Sequence, residues 1–143
     1  MEIKDCMHTE IFYARVSDTA SRIAKMMEEY HIGSVPICDD NDEVVGMVTD
    51  RDIVLRCVAN DKDVNETPAS EFMTTDIFTT SPTTDVDEAT GIMEEKQIRR
   101  LPIVEGNKIV GIVSIADLLQ NPKTDNTEIG DTMKHICNCK NNH

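Results

Sequence analysis

The sequence has no apolar run approaching the roughly 20 residues that cross a bilayer, and its opening "MEIKDCMHTE" lacks the basic-then-apolar pattern of an export signal. No membrane partner is expected, and the chain reads as a soluble cytoplasmic protein. Basic residues are scarce. Fourteen Lys and Arg stand against 27 Asp and Glu, a net charge of -13, which repels a phosphate backbone and argues against nucleic acid as a partner. The five cysteines are odd in number and lack a secretory context, so they read as reduced thiols, not as a disulfide framework. Catalytic signatures are also missing. There is no nucleophile elbow, Walker loop or His-Glu-x-x-His element, and the histidines at 8, 31, 135 and 143 are scattered. These absences point away from an enzyme.

What is present is an internal repeat, which organises the chain more firmly than any single element. A shift of 66 residues lays "DCMHTEIF" on "EFMTTDIF", pairing Met7 with Met73, Thr9 with Thr75, Ile11 with Ile77 and Phe12 with Phe78. The same shift pairs Met27-Glu28-Glu29 with Met93-Glu94-Glu95 and Pro36-Ile37 with Pro102-Ile103. After a turn one residue shorter in the second copy, a shift of 65 pairs Gly46 with Gly111, Val48 with Val113 and Asp52 with Asp117.

Each copy predicts the same series of elements. An extended piece, around 11 to 16 and again 77 to 81, leads to a helix capped by Ser17 or Asp18 in one copy and by Thr83 or Thr84 in the other. The apolar stripe Ile23, Met26, Met27 and Tyr30, echoed by Ala89, Ile92 and Met93, marks the buried helix face. His31 is expected to end the first helix. "SVPIC" and "EVVGMVT", joined by "DDNDE", form one hairpin; "RLPIV" and "KIVGIVS", joined by the Gly-Asn turn of "EGNK", form the other. A second helix follows at roughly 50 to 58 and 115 to 120. Domain boundaries follow from this: repeat 1 at 5–58, a polar linker at 59–70, repeat 2 at 71–120 and a poorly ordered tail at 121–143. A unit of about 60 residues buries too little apolar surface to be comfortable alone. The expected fold class is therefore α/β of the α+β type, two βαββα repeats packed sheet to sheet about a pseudo-twofold axis.

These motifs, in this order and in tandem, resemble a pair of CBS domains, the cystathionine beta-synthase type of module. The resemblance covers about residues 5 to 120, and with no catalytic domain attached the chain is similar to the free-standing CBS-pair proteins. It implies a regulatory protein with two clefts for adenosine-containing ligands, and a homodimer formed through the helices. AMP, ADP or ATP is the expected ligand class, no cofactor is required, and an effector protein of unknown identity would receive the signal.

The junction between last strand and last helix occurs twice, as "GMVTDRDIV" and "GIVSIADLL". Thr49 with Asp52, and Ser114 with Asp117, have the spacing of a capping box, in which the hydroxyl and the acid satisfy helix-start amides. The same groups suit a nucleotide, since helix-start amides and a hydroxyl favour phosphate and the acid accepts ribose hydroxyls; the family resemblance favours that role for Asp52. The resemblance also implies composite clefts. In the first, Thr49 and Asp52 face Arg99 and Arg100, which supply local positive charge, while Met47, Val48, Ile77, Phe78 and Thr79 line the adenine slot. In the second and weaker cleft, Ser114 and Asp117 face Gly33 and Ser34, with Ile11, Phe12, Tyr13, Ile112 and Val113 as lining. For the apolar members, plain core is the competing role.

Two other functions compete. One is a dimerisation module without a ligand. The other is metal or redox chemistry in "HICNCKNNH", where His135, Cys137, Cys139 and His143 are ligand types at non-standard zinc spacing. Cys38 and Cys57, in apolar surroundings, read as core.

Overall fold

In a computed structural model of the chain, residues 1–120, 133, 134 and 136 are described. They form a mixed α/β fold that divides into two compact units. One consists of Phe12–Ile77; the other joins Met1–Ile11 to the chain from Phe78 onward.

The Phe12–Ile77 unit carries β1 (Ala14–Arg15), α1 (Ala20–Tyr30), β2 (Ser34–Cys38), β3 (Val44–Thr49) and α2 (Asp50–Asp52), the last continuing as a wider π-helical stretch over Ile53–Val58. Strand order is β1-β2-β3, with β1 parallel to β2 and β2 antiparallel to β3. All five residues of β2 are buried, as expected for a strand covered on both faces. Ile23, Val35, Ile37, Val48 and Cys57 are fully buried and share one core with Phe72.

The other unit carries α3 (Val86–Lys96), β4 (Arg100–Glu105), β5 (Lys108–Ser114) and α4 (Ile115–Gln120), with β4 antiparallel to β5. Where its sibling has β1, the extended piece at 77–81 makes a single parallel bridge, Thr80 to Ile103. Its core gathers Met93, Leu101, Ile103, Val113 and Leu118 around Ile3, all fully buried. Ile136 also belongs to that core and is 6% exposed.

The helix ends follow local chemistry, with one shift from expectation. α1 is capped by Thr19, whose hydroxyl accepts from the Arg22 amide, and α3 by Asp85, whose carboxylate accepts from the Asp87 amide. The expected caps lie one or two residues too early because those side chains close the preceding turns. Asp18 accepts from the Arg15 amide at 2.7 Å, and the Thr84 hydroxyl lies 2.6 Å from that of Thr80. His31 ends α1 in the left-handed conformation, φ 54°, and Gln97 does the same for α3 at φ 56°. The second hairpin turns on Gly106 and Asn107, both at positive φ, which suits a tight hairpin loop. Tyr30 departs from the apolar stripe: it is 39% exposed and stacks on Phe12 with ring centroids 3.7 Å apart.

The leading segments are exchanged relative to the sequence repeats. Ile3 donates its amide to Thr84 O and Lys4 to Pro82 O in one unit; in the other, Ala69 donates to Asp18 O and Ser70 to Val16 O. These are the same bonds 66 residues apart. Each lead therefore closes the core formed by the other copy's helix and hairpin. Burying Ile3 in this way stabilises its unit by roughly 1.5–3 kcal/mol.

Candidate functional site

Both strand-to-helix junctions form complete capping boxes. The Thr49 hydroxyl accepts from the Asp52 amide at 3.1 Å, while the Thr49 amide donates to Asp52 Oδ2 at 2.9 Å. Ser114 and Asp117 repeat this at 3.1 and 2.8 Å. The box does not exhaust the acid. An ionised carboxylate has two oxygens and about four acceptor sites, and the box uses only Oδ2. Each carboxylate is largely enclosed, its side chain 14% exposed, so the remaining oxygen is held at a fixed position.

That oxygen, Oδ1, meets different neighbours in the two units. Asp52 Oδ1 lies 3.7 Å from Arg56 Nε, a loose ion pair, since Arg56 also donates to the carbonyls of Phe72 and Met73 at 3.3 Å. Asp117 Oδ1 lies 2.6 Å from His8 Nε2, a close contact to a side chain 64% exposed. Nothing in the local sequence marks His8 as part of a site; it is separated from Asp117 by 109 residues. The repeat shift that pairs Met7 with Met73 pairs His8 with Thr74, which locates the equivalent position but not the contact.

The lead containing His8 crosses β5 edge-on. His8 and Ile112 exchange both backbone bonds, at 2.9 and 3.0 Å, as Thr74 and Met47 do at β3. The crossing needs glycine. A Cβ on Gly111 would sit 2.7 Å from Met7 Sδ and 2.9 Å from His8 O, and one on Gly46 would sit 2.7 Å from Met73 Sδ and 3.0 Å from Thr74 O.

The strand registers also place the residues that precede each Pro. Ser34 is opposite Thr49, with the Asp50 amide donating to Gly33 O at 3.1 Å. Arg100 is opposite Ser114, with the Ile115 amide donating to Arg99 O at 3.0 Å. The expected grouping of each set with the junction of the other copy stays an expectation; the register sets Gly33 and Ser34 beside Thr49, and Arg99 and Arg100 beside Ser114, each within one unit. The reason is topological: a hairpin whose second strand runs into a helix returns to the start of its own first strand at that point. Both arginine side chains are exposed.

The remaining candidates divide by strand face. Val48 and Val113 are wholly buried, so their side chains are core and do not line a slot; period-two alternation leaves Met47 and Ile112 half-buried on the other face. Ile11, Ile77 and Phe78 are half-buried and Thr79 is exposed. Phe78 lies under Lys96 Nζ, 4.8 Å from the ring centroid, and Tyr13 beneath the Arg15 guanidinium at 5.2 Å. A groove of about 370 Å³ on the Phe12–Ile77 unit, lined by Thr19, Arg22, Lys25, Tyr30 and Asn65 among others, contains none of the predicted site residues.

Among the described residues no group of three or more His, Cys, Asp or Glu is placed to hold a metal ion, and no helix is long and apolar enough to cross a membrane. His135, Cys137, Cys139 and His143 lie outside the described residues. Burial raises the Cys38 thiol to about 11 and pushes that of Cys57 up. Burial, followed by the Asp117 and Asp5 charges, raises Cys6.

Comparison with known proteins agrees with the repeat. The CBS domain family model matches residues 3–58 and 69–123. The CBS domain-containing protein YhcV of Bacillus subtilis is 36% identical over 134 residues, covering 94% of both chains. Hypoxic Response Protein I, solved with two coordinated zinc ions, superposes with a TM-score of 0.79 at 33% identity, covering 85% of this chain and 98% of that one. The CBS domain pair of protein MJ0100, solved with 5'-methylthioadenosine and S-adenosyl-L-methionine, superposes with a TM-score of 0.74 at 26% identity over 82% and 96%. Two matched segments that span most of the sequence, each coinciding with one copy of the internal repeat, make this chain a member of the CBS-domain family, carrying the domain as a tandem pair.

Proposed function

We propose that the protein is a non-catalytic regulatory module that binds an adenosine-containing ligand at its strand-to-helix junctions and passes occupancy to a partner. The observation that carries this reading is the spare oxygen. In each unit a carboxylate 14% exposed is pinned through Oδ2, and the capping box leaves Oδ1 for another donor, with only the loose Arg56 contact at Asp52 and the His8 imidazole at Asp117. A ribose diol is a suitable donor, and a neighbour of the same fold binds two adenosine compounds. Arg99 and Arg100, beside Ser114, give that junction the positive charge a phosphate needs on a chain of net charge -13. A ligand carrying phosphate therefore belongs at the Ser114/Asp117 junction, and Thr49/Asp52 suits the less charged end of the class. Two or three charge-assisted bonds at about 1.5–3 kcal/mol each, together with burial of the adenine ring at about 25 cal/mol per Å², offset an association cost of at least about 4 kcal/mol.

Occupancy would alter stability and conformation through differential affinity for two states. A second copy is the expected structural partner, and the exposed Val54, Leu55 and Val58 on one short helical stretch supply apolar surface for it. Calorimetry with adenosine, AMP, ATP, 5'-methylthioadenosine and S-adenosylmethionine, on wild type, Asp52→Asn and Asp117→Asn, tests the reading. Loss of one binding event in each variant supports it; identical heats from all three proteins refute it.

A second reading, zinc binding through the Cys/His tail, is favoured by the zinc-bearing neighbour and by burial of Ile136, which lies between His135 and Cys137 in sequence. Metal analysis of the purified chain, with and without Cys137→Ser and Cys139→Ser, separates it from the first.

A further inference from the structure

We propose that His8 gates the Ser114/Asp117 junction by occupying the oxygen that ligand must use. The proposal rests on the reading of Asp117 as a ribose acceptor and concerns the regulation of that same site. Both oxygens of Asp117 are already engaged: Oδ2 by the Ser114 amide at 2.8 Å, Oδ1 by His8 Nε2 at 2.6 Å. A ribose hydroxyl reaching Oδ1 must displace the imidazole.

The other unit is an internal control. Thr74 holds the place of His8, with the same pair of backbone bonds to the crossing strand, Thr74 to Met47 at 2.8 and 2.9 Å against His8 to Ile112 at 2.9 and 3.0 Å. The backbone position is thus equivalent, and at that position the two leads differ in side chain, His8 against Thr74. At Asp52 the ion pair to Oδ1 is made by Arg56 Nε at 3.7 Å, beyond hydrogen-bond range. The gate stands at the junction that has the arginines beside it, so the site best equipped for phosphate is the one held shut. His8 is 64% exposed and can swing into solvent at little packing cost. Its lead is pinned at Met7, beneath Gly111, so the displaced ring stays close to Asp117 and recaptures it when ligand leaves.

The test uses the full chain in an Asp52→Asn background, which leaves one junction to report, titrated calorimetrically with AMP and 5'-methylthioadenosine. His8→Ala is expected to tighten both ligands about tenfold, the equivalent of releasing one such hydrogen bond. His8→Gln, whose amide nitrogen can still donate to Asp117, is expected to restore the weaker binding, a rescue that a merely structural role would not produce. Unchanged or weaker binding in His8→Ala, with Asp52→Asn still binding ligand, overturns the gate and leaves the ligand reading standing. If neither ligand binds wild type or any variant, the ligand reading fails and the gate fails with it. Conversely, Thr74→His in an Asp117→Asn background is expected to weaken the first junction; equal affinity there also counts against the gate.

Discussion

Arg100 and Ser114 are direct partners across the β4–β5 ladder, and the neighbouring Arg99 carbonyl receives the Ile115 amide where α4 begins. Arg100 is thereby held opposite the residue that supplies the capping hydroxyl, three residues before Asp117. An arginine placed this way selects for ligand charge more than for the adenosine moiety. Arg100→Ala is expected to weaken AMP about tenfold or more, the worth of one charge-assisted bond, while 5'-methylthioadenosine, which has no phosphate, changes little. Parallel calorimetric titrations check this. Equal losses for both ligands would mean that Arg100 supports the fold and not the phosphate.

The crossings at Gly46 and Gly111 predict a stability effect that needs no ligand. Their absent Cβ atoms make room for backbone carbonyls at 3.0 and 2.9 Å, and a carbonyl in a two-bond bridge cannot retreat as a flexible side chain can. Gly46→Ala and Gly111→Ala are each expected to cost about 1–3 kcal/mol, as overpacking does, read as a lower urea midpoint at unchanged slope. Gly111→Ala should also move the lead carrying His8, so its amide resonance is expected to shift.

Much of this was legible in the sequence because the information is local or repeated. The hairpins follow from alternating strands flanking "DDNDE" and "EGNK", and the capping boxes from a hydroxyl and an acid three residues apart. His31 as a helix terminus needed only the end of an apolar stripe. The caps of α1 and α3 lay one or two residues off because several consecutive Ser, Thr and Asp compete for each helix start, and turn closure by Asp18 and Thr84 decides between them. The exchange of leads and the His8–Asp117 contact were not legible. Both depend on pairings between residues far apart in sequence, such as Ile3 with Thr84, Ala69 with Asp18 and His8 with Ile112, for which no local pattern exists. The arginines were visible as residues but not as neighbours of Ser114, which required the ladder register.

Cys38 gives a pH prediction with a definite sign. It is fully buried at the end of β2, and burial raises its thiol from 9.0 to about 11. Between these values the unfolded chain has lost the proton that the folded chain keeps, so folded protein binds more protons and stability falls as pH rises from 9 toward 11. Cys38→Ala is expected to flatten that part of the stability profile measured by urea denaturation. The buried thiol should also resist Ellman's reagent at pH 8 until the chain unfolds.

The capping boxes allow stability and ligand binding to be separated at one side chain. Thr49→Ala removes the hydroxyl that accepts from the Asp52 amide at 3.1 Å and is expected to cost about 1 kcal/mol; Ser114→Ala should behave alike. Thr49→Ser keeps the oxygen and should cost little. Asp52→Asn retains a side-chain oxygen for the Thr49 amide, so its stability should fall less than that of Thr49→Ala, while the charge that favours a ribose diol is gone. Affinity lost in Asp52→Asn at near-native urea midpoint would assign the acid to ligand. A drop in midpoint matching that of Thr49→Ala, with affinity intact, would assign it to the cap alone.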